Sequence, residues 1–242
     1  MTNRPPRILG HRGAPRRARE NTLEAFRFAR EEGADGVELD VHRSFDGALI
    51  VHHDAEIEGF GVLSERPLTE IRAEFPWLAT LAEVLDSCRG LLVNIEIKNS
   101  PNDVDFDPDE RVAAAVVELL ATRTPRDDVI VSSFHLPSID RVHALDRSIP
   151  TGYLTSVRPS PLEAVAIAAA GGHTAVHPFF GVLADRGAAT LIEAAHSAGL
   201  ALNTWTVNDG EEIARLAAAG VDAIITDVPA DARRALDPST EV

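Results

Sequence analysis

Two rhythms alternate along the chain: segments with apolar residues at helical spacing, and short apolar runs that follow a glycine by two or three residues. The unit recurs, with GADGVELDV at 33–41 echoed by GVDAIITDV at 220–228, and more loosely by AGGHTAVHP at 170–178 and AGLALNTW at 198–205. Each glycine suits the left-handed residue that closes a helix, and the run after it suits a strand covered on both faces. Alternation of this kind predicts a parallel α/β sheet. Strands are predicted at 7–11, 36–42, 91–98, 129–133, 151–154, 173–177, 200–205 and 222–226. Helices fall between them at about 22–32, 80–88, 108–122, 137–145, 160–170, 187–198, 209–218 and 230–236. The first helix is expected to take Asn21 as its N-cap, with Glu24 three residues on and Gly33 as its stop.

Eight βα units in 242 residues fit a TIM (β/α)8 barrel, with a doubly wound open sheet as the alternative. The stretch 43–79 fits neither pattern and is read as an insertion between the second strand and its helix, within one domain spanning 1–242. The tail after about 237 is expected to fray.

Composition narrows the partners. Hydrophobic residues make up 45% of the chain, enough for a sizeable core, and the formal charge of -15 argues against duplex nucleic acid or an anionic membrane. An anionic substrate would need a local cationic site. Cys88 is the one cysteine, so no intramolecular disulfide forms, and a small core residue is its expected role. No apolar run is long enough for a signal peptide or a membrane span, so a cytoplasmic location without stable membrane insertion is expected. The oligomeric state is left open.

The candidate chemistry lies where polar residues break the apolar runs. Period two along 36–42 turns Val37, Leu39 and Val41 toward covering helices, and Glu38 and Asp40 into the barrel. In LLVNIEIKN, Leu92, Asn94, Glu96 and Lys98 share the inward face. Three inward carboxylates on neighbouring strands would cost several kcal/mol unless something positive joins them. A hard divalent cation, Mg²⁺, Ca²⁺ or Mn²⁺ rather than zinc, is one answer. A buried network, Glu96 with Lys98 and Asp40 with an arginine, is the other. His11 and Arg12 end the first strand, and His52, His53 and Asp54 end a short strand in 43–79. Two histidines flanking such a cluster suit a general acid and base. Arg12 and Lys98 suit phosphate oxygens, which points to a phosphate ester.

HRG followed by ENTLEAF, then GADGVELDV, HHD, NIEIK, WTVND and GVDAIITDVP resembles the glycerophosphodiester phosphodiesterase family, over about residues 8–230. The resemblance implies a TIM barrel with a small insertion after the second strand, a divalent metal, and hydrolysis of a small-molecule glycerophosphodiester to glycerol 3-phosphate and an alcohol. It implies Glu38, Asp40 and Glu96 as metal ligands, His11 and His53 as the acid–base pair, and Arg12 and Lys98 as phosphate contacts. Where many members carry a stretch close to TLDRTTDG, this chain has AEIEGFGVLSERPLT, which bears on the choice of alcohol.

Other residues support the site. Glu20 and Asn21 organise the loop beside His11, and Trp205 either walls a glycerol site or packs in the core. His177 is expected at the catalytic face with no task assigned, and Asp227 is expected to cap the last helix ahead of Pro229. Three other readings compete. A sphingomyelinase-D-like activity on lipid head groups is disfavoured by the absent signal peptide and disulfide. A phosphosugar isomerase or aldolase with Lys98 as a Schiff-base amine is disfavoured by TVNDGEE and TDVPADA, which lack a Gly-rich phosphate cradle. A non-catalytic anion- or metal-binding barrel would be expected to have lost His11 or His53.

Overall fold

The computed structural model describes residues 5–183 and 187–237; the tail expected to fray lies outside them. β1 (Arg7–His11) leads through the HRG turn to α1 (Leu23–Glu31), and β2 (Gly36–Arg43) follows. β3 (Leu49–Val51) runs back antiparallel to β2. A small hairpin of β4 (Glu56–Ile57) and β5 (Gly61–Val62) comes next, then a 3₁₀ turn at Leu63–Glu65, α2 (Leu68–Glu74) and α3 (Leu81–Ser87). The remaining units alternate: β6 (Leu92–Ile97), α4 (Arg111–Ala121), β7 (Val129–Ser133), α5 (Leu136–Leu145), β8 (Thr151–Thr155), α6 (Pro161–Gly171), β9 (Ala175–Pro178), α7 (Gly187–Ser197), β10 (Ala201–Thr204), α8 (Gly210–Ala219), β11 (Ala223–Thr226) and α9 (Pro229–Leu236).

The parallel strands run β1-β11-β10-β9-β8-β7-β6-β2, and β2 returns to β1 with Leu9 opposite Gly36 and His11 opposite Glu38. The sheet is therefore a closed eight-stranded TIM barrel, and the open doubly wound alternative is set aside. Closure depends on the period-two pattern. Val37, Leu39 and Val41 of β2 and Val93, Ile95 and Ile97 of β6 are buried beneath α1, α3 and α4. Full burial of each is worth about 1.5–3 kcal/mol. The opposite faces of the same strands point inward, where Leu9, Ala223 and Ile225 form a small apolar floor. A separate cluster around Ile50, Leu63, Ile71 and Leu78 holds the segment between β2 and α3 against the barrel. Cys88 caps the C-terminus of α3, 2% exposed, and burial pushes its thiol up to about 12.

The N-terminal ends of the strands are fastened by two aspartates that occupy equivalent places in the repeated motif. Asp35, just before β2, accepts from Ile8 N at 2.8 Å, and Asp222, just before β11, accepts from Leu202 N at 2.7 Å. Each thus ties its own strand to the neighbouring one, and Arg233 and His196 pair with them in turn.

Candidate active site

The carboxylates meet because β2 and β6 pair in parallel with Glu38 opposite Asn94 and Asp40 opposite Glu96. Oxygen atoms of Glu38, Asp40 and Glu96 lie within 4.8 Å of one another, on residues only 3%, 1% and 9% exposed. Burial first, then the charge of Asp40, pushes the Glu38 carboxyl up to about 8. Burial raises Glu96 as well, with Lys98 pulling against it. Both pairings of the buried network are present: Lys98 Nζ stands 3.2 Å from Glu96 and 3.6 Å from Asp40, and Arg12 Nε stands 3.3 Å from Asp40. Two cations, Arg12 and Lys98, face three carboxylates, so the cluster is short of positive charge. Three convergent carboxylates in that condition fit a hard divalent cation.

The HRG turn sets one flank. Gly13 (φ +92) lies so close to α1 that a Cβ would stand 2.6 Å from the Ala25 carbonyl carbon, and Arg12 takes a left-handed φ of 55°. The turn directs Arg12 N to Glu38 Oε2 at 3.1 Å and the guanidinium to Glu20 at 2.9 Å. A left-handed non-glycine costs of order 1–3 kcal/mol and persists where the surroundings over-determine it.

Two imidazoles face the cluster. His11 Nδ1 meets Asp227 Oδ1 at 2.7 Å, and its Nε2 lies 4.0 Å from Glu38. Burial works against the His11 imidazolium, but the Asp227 hydrogen bond and the Glu38 charge outweigh it and its pKa is raised. His53 Nδ1 meets Asp54 Oδ1 at 2.7 Å. Burial holds its pKa below the ordinary value, and the charges of Lys98 and Arg12 add to that while Asp40 opposes. A carboxylate only accepts, so in each ring Nδ1–H donates and Nε2 is left for chemistry. His52 turns away, its Nδ1 against the Asp54 carbonyl at 2.9 Å and its ring 6.2 Å from Trp77.

A narrow cavity of about 80 Å³ is lined by His11, Arg12, His53, Lys98 and Trp205 beside Glu38 and Glu96. It shares His53, Glu96, Lys98 and Phe134 with a much larger cavity of about 980 Å³ bounded by residues 54–61 and the segment after β6. Trp205 packs on Leu9, Ala223 and Ile225, donates Nε1–H to the His177 carbonyl at 2.8 Å, and also lines the narrow cavity.

Three expectations are corrected. Thr22, not Asn21, caps α1, accepting from Ala25 N at 3.2 Å, while Asn21 is buried and donates Nδ2–H to Asp40 at 2.8 Å. Asp227 does not cap α9, whose N-cap is Val228; its carboxylate holds His11 and accepts from Asn208 at 2.7 Å. The backbone of His177 lies beside the narrow cavity, opposite Leu154 and hydrogen-bonded to Trp205, but its ring lines neither cavity. Its ring is buried inside the barrel, beside the space left by Gly152, where a Cβ would stand 2.4 Å from Nε2. Nε2 accepts from Asn203 at 2.9 Å, and burial pushes the imidazole down to about 3. Asp227 is the functional candidate that sequence reasoning missed, and its alignment with Asp40 in the repeat was the available signal.

Residues 11–231 match the glycerophosphoryl diester phosphodiesterase family. A glycerophosphodiester phosphodiesterase of Caldanaerobacter subterraneus subsp. tengcongensis is 31% identical over 243 residues, covering 92% of this chain and 94% of the relative. The crystal structure of a glycerophosphodiester phosphodiesterase from Thermotoga maritima superposes with a TM-score of 0.81 at 28% identity, over 94% of this chain and 97% of that one. A phosphodiesterase from Oleispira antarctica, solved in complex with the product sn-glycerol-3-phosphate, gives 0.84 at 27% identity, over 96% and 97%.

Proposed function

The chain belongs to the glycerophosphoryl diester phosphodiesterase family, and from that premise we propose that it hydrolyses glycerophosphodiesters to glycerol 3-phosphate and an alcohol in a metal-dependent reaction with histidine acid–base catalysis. The observation that carries this reading is the convergence of three buried carboxylates with two imidazoles, each tied to an aspartate through Nδ1. Glu38, Asp40 and Glu96 would hold a divalent cation, which when bound neutralises charge on the phosphoryl oxygens. Arg12 and Lys98 bring two further positive charges to the same anion, and Trp205 bounds the glycerol end of the narrow cavity. The leaving alcohol is directed into the larger cavity.

Phosphorus loses its bond to the alcohol oxygen and gains one either to water, giving glycerol 3-phosphate directly, or to the substrate's own glycerol hydroxyl, giving a cyclic phosphate that water then opens in a second displacement. The attacker must shed a proton and the leaving alkoxide must receive one. His11 and His53 reach the narrow cavity from β1 and from the end of β3, with Nε2 on neither ring engaged in a hydrogen bond among the described residues. That supplies a group for each transfer.

The test is a coupled assay for glycerol 3-phosphate release from a panel of glycerophosphodiesters. EDTA is expected to abolish turnover, and Mg²⁺, Mn²⁺ or Ca²⁺ to restore it. A flat panel overturns the activity, whereas full turnover in excess chelator overturns only the metal.

A further inference from the structure

His53 sits one residue beyond the last rung of the β2–β3 ladder, where the backbone bond from His52 N to the Asp40 carbonyl (3.1 Å) ends the pairing. Its imidazole is tethered by Asp54, but that side chain is 68% exposed, and an exposed partner holds a ring weakly against water. Among the described residues the His53 backbone receives one hydrogen bond, and it comes from His42. The His42 ring is 1% exposed and its Nε2 lies 3.1 Å from the His53 carbonyl oxygen. A carbonyl only accepts, so Nε2–H donates.

The other ring nitrogen is committed too. His42 Nδ1 meets Asp105 Oδ2 at 2.7 Å, and the second Asp105 oxygen is buried with no partner of its own, so that carboxylate is devoted to the ring. Asp105 lies between β6 and α4 in a segment closed by a reciprocal pair, Asn99 Nδ2 to the Asp107 carbonyl (2.9 Å) and Asp107 N to Asn99 Oδ1 (2.8 Å). The path is thus buried and continuous from that segment to the peptide that carries His53. We infer that His42, oriented by Asp105, is a positioning residue for His53 that fixes the height of its imidazole over the carboxylate cluster. The inference rests on the reading of His53 as a proton-transfer group.

A misplacement of about 1 Å in a reacting group costs up to roughly 10²-fold in rate. His42→Ala is therefore expected to lower kcat for a glycerophosphodiester by roughly 10- to 100-fold, with KM and Mn²⁺ binding little altered. His42→Gln, whose amide can still donate to the carbonyl, should recover part of the loss. The deciding measurement is a double-mutant cycle: in a His53→Ala background, His42→Ala should cost less than about twofold more, because both changes act through one imidazole. Asp105→Ala, in the segment beyond β6, should behave like His42→Ala and carries the test if His42→Ala does not fold. Additive losses, or a His42→Ala enzyme as fast as wild type beside a crippled His53→Ala, overturn the positioning role. A His53→Ala enzyme with undiminished kcat overturns the reading of His53 and this inference with it.

Discussion

Glu38 is the residue whose chemistry is most at odds with its place. A carboxyl raised from 4.5 to about 8 favours the folded state while protonated, and that contribution is lost as pH climbs from the unfolded value through the folded one. The metal-free protein should accordingly lose Tm between about pH 5 and 8. Mg²⁺ or Ca²⁺ should raise Tm more at pH 8 than at pH 6, and calorimetry with and without EDTA checks both. An identical metal effect at the two pH values would mean that cation and proton do not compete for the cluster. The neighbouring histidines give a second contrast. His53→Ala should lower kcat by roughly 10²–10⁴, the usual worth of a positioned proton transfer, whereas His52→Ala, turned toward Trp77, should cost less than about fivefold. Equal losses in steady-state assays would reassign the imidazole.

Elements were legible where one period dominated several residues. β2 and β6 declared themselves by apolar residues at every other position, and the same alternation picked out Glu38, Asp40 and Glu96 on their inner faces. It failed where two local solutions were equally good. Asn21 and Thr22 both suit an N-cap, and the choice was made by Asp40, which claims Asn21 from a strand 19 residues away. Asp227 pairs with His11 across 216 residues, so no local pattern could separate that role from capping α9. At β9, alternation turns His177 inward, since Val176 packs outward, but a place near the strand's end does not tell how deep in the barrel the ring lies. The departure after HHD is now placed: residues 55–61 line the larger cavity, bringing Glu56 and Glu58 to it beside Asp54 and Asp103. Asp54, Glu56 and Glu58 are exposed, so their like charge acts through solvent and disfavours an anionic alcohol in a salt-dependent way. Matched diesters of a phosphorylated and an unphosphorylated alcohol should differ in kcat/KM by about tenfold or more against the anion, falling as ionic strength rises.

At the scale of the whole molecule the barrel separates two tasks along its axis. The C-terminal strand ends gather the carboxylates and imidazoles, while the N-terminal ends are fastened by Asp35 and Asp222. Removing either fastening leaves a backbone N–H short of its acceptor, a loss of about 1–3 kcal/mol. Asp35→Ala and Asp222→Ala should therefore lower the urea midpoint while leaving kcat within about twofold of wild type, as expected for changes far from the chemistry. A large fall in kcat without a fall in the midpoint would couple the two ends. No described helix is long and apolar enough to cross a membrane. The buried thiol of Cys88 adds a practical property to this architecture. Being the one sulfhydryl in the chain, 2% exposed at the C-terminus of α3 and far from ionising at neutral pH, it can react with a probe such as Ellman's reagent only when its surroundings open. The unmodified protein thus carries its own clock for opening of the helical shell, and the rate at which that clock runs with and without Mg²⁺ reports whether filling the mouth of the barrel quiets its outer layer.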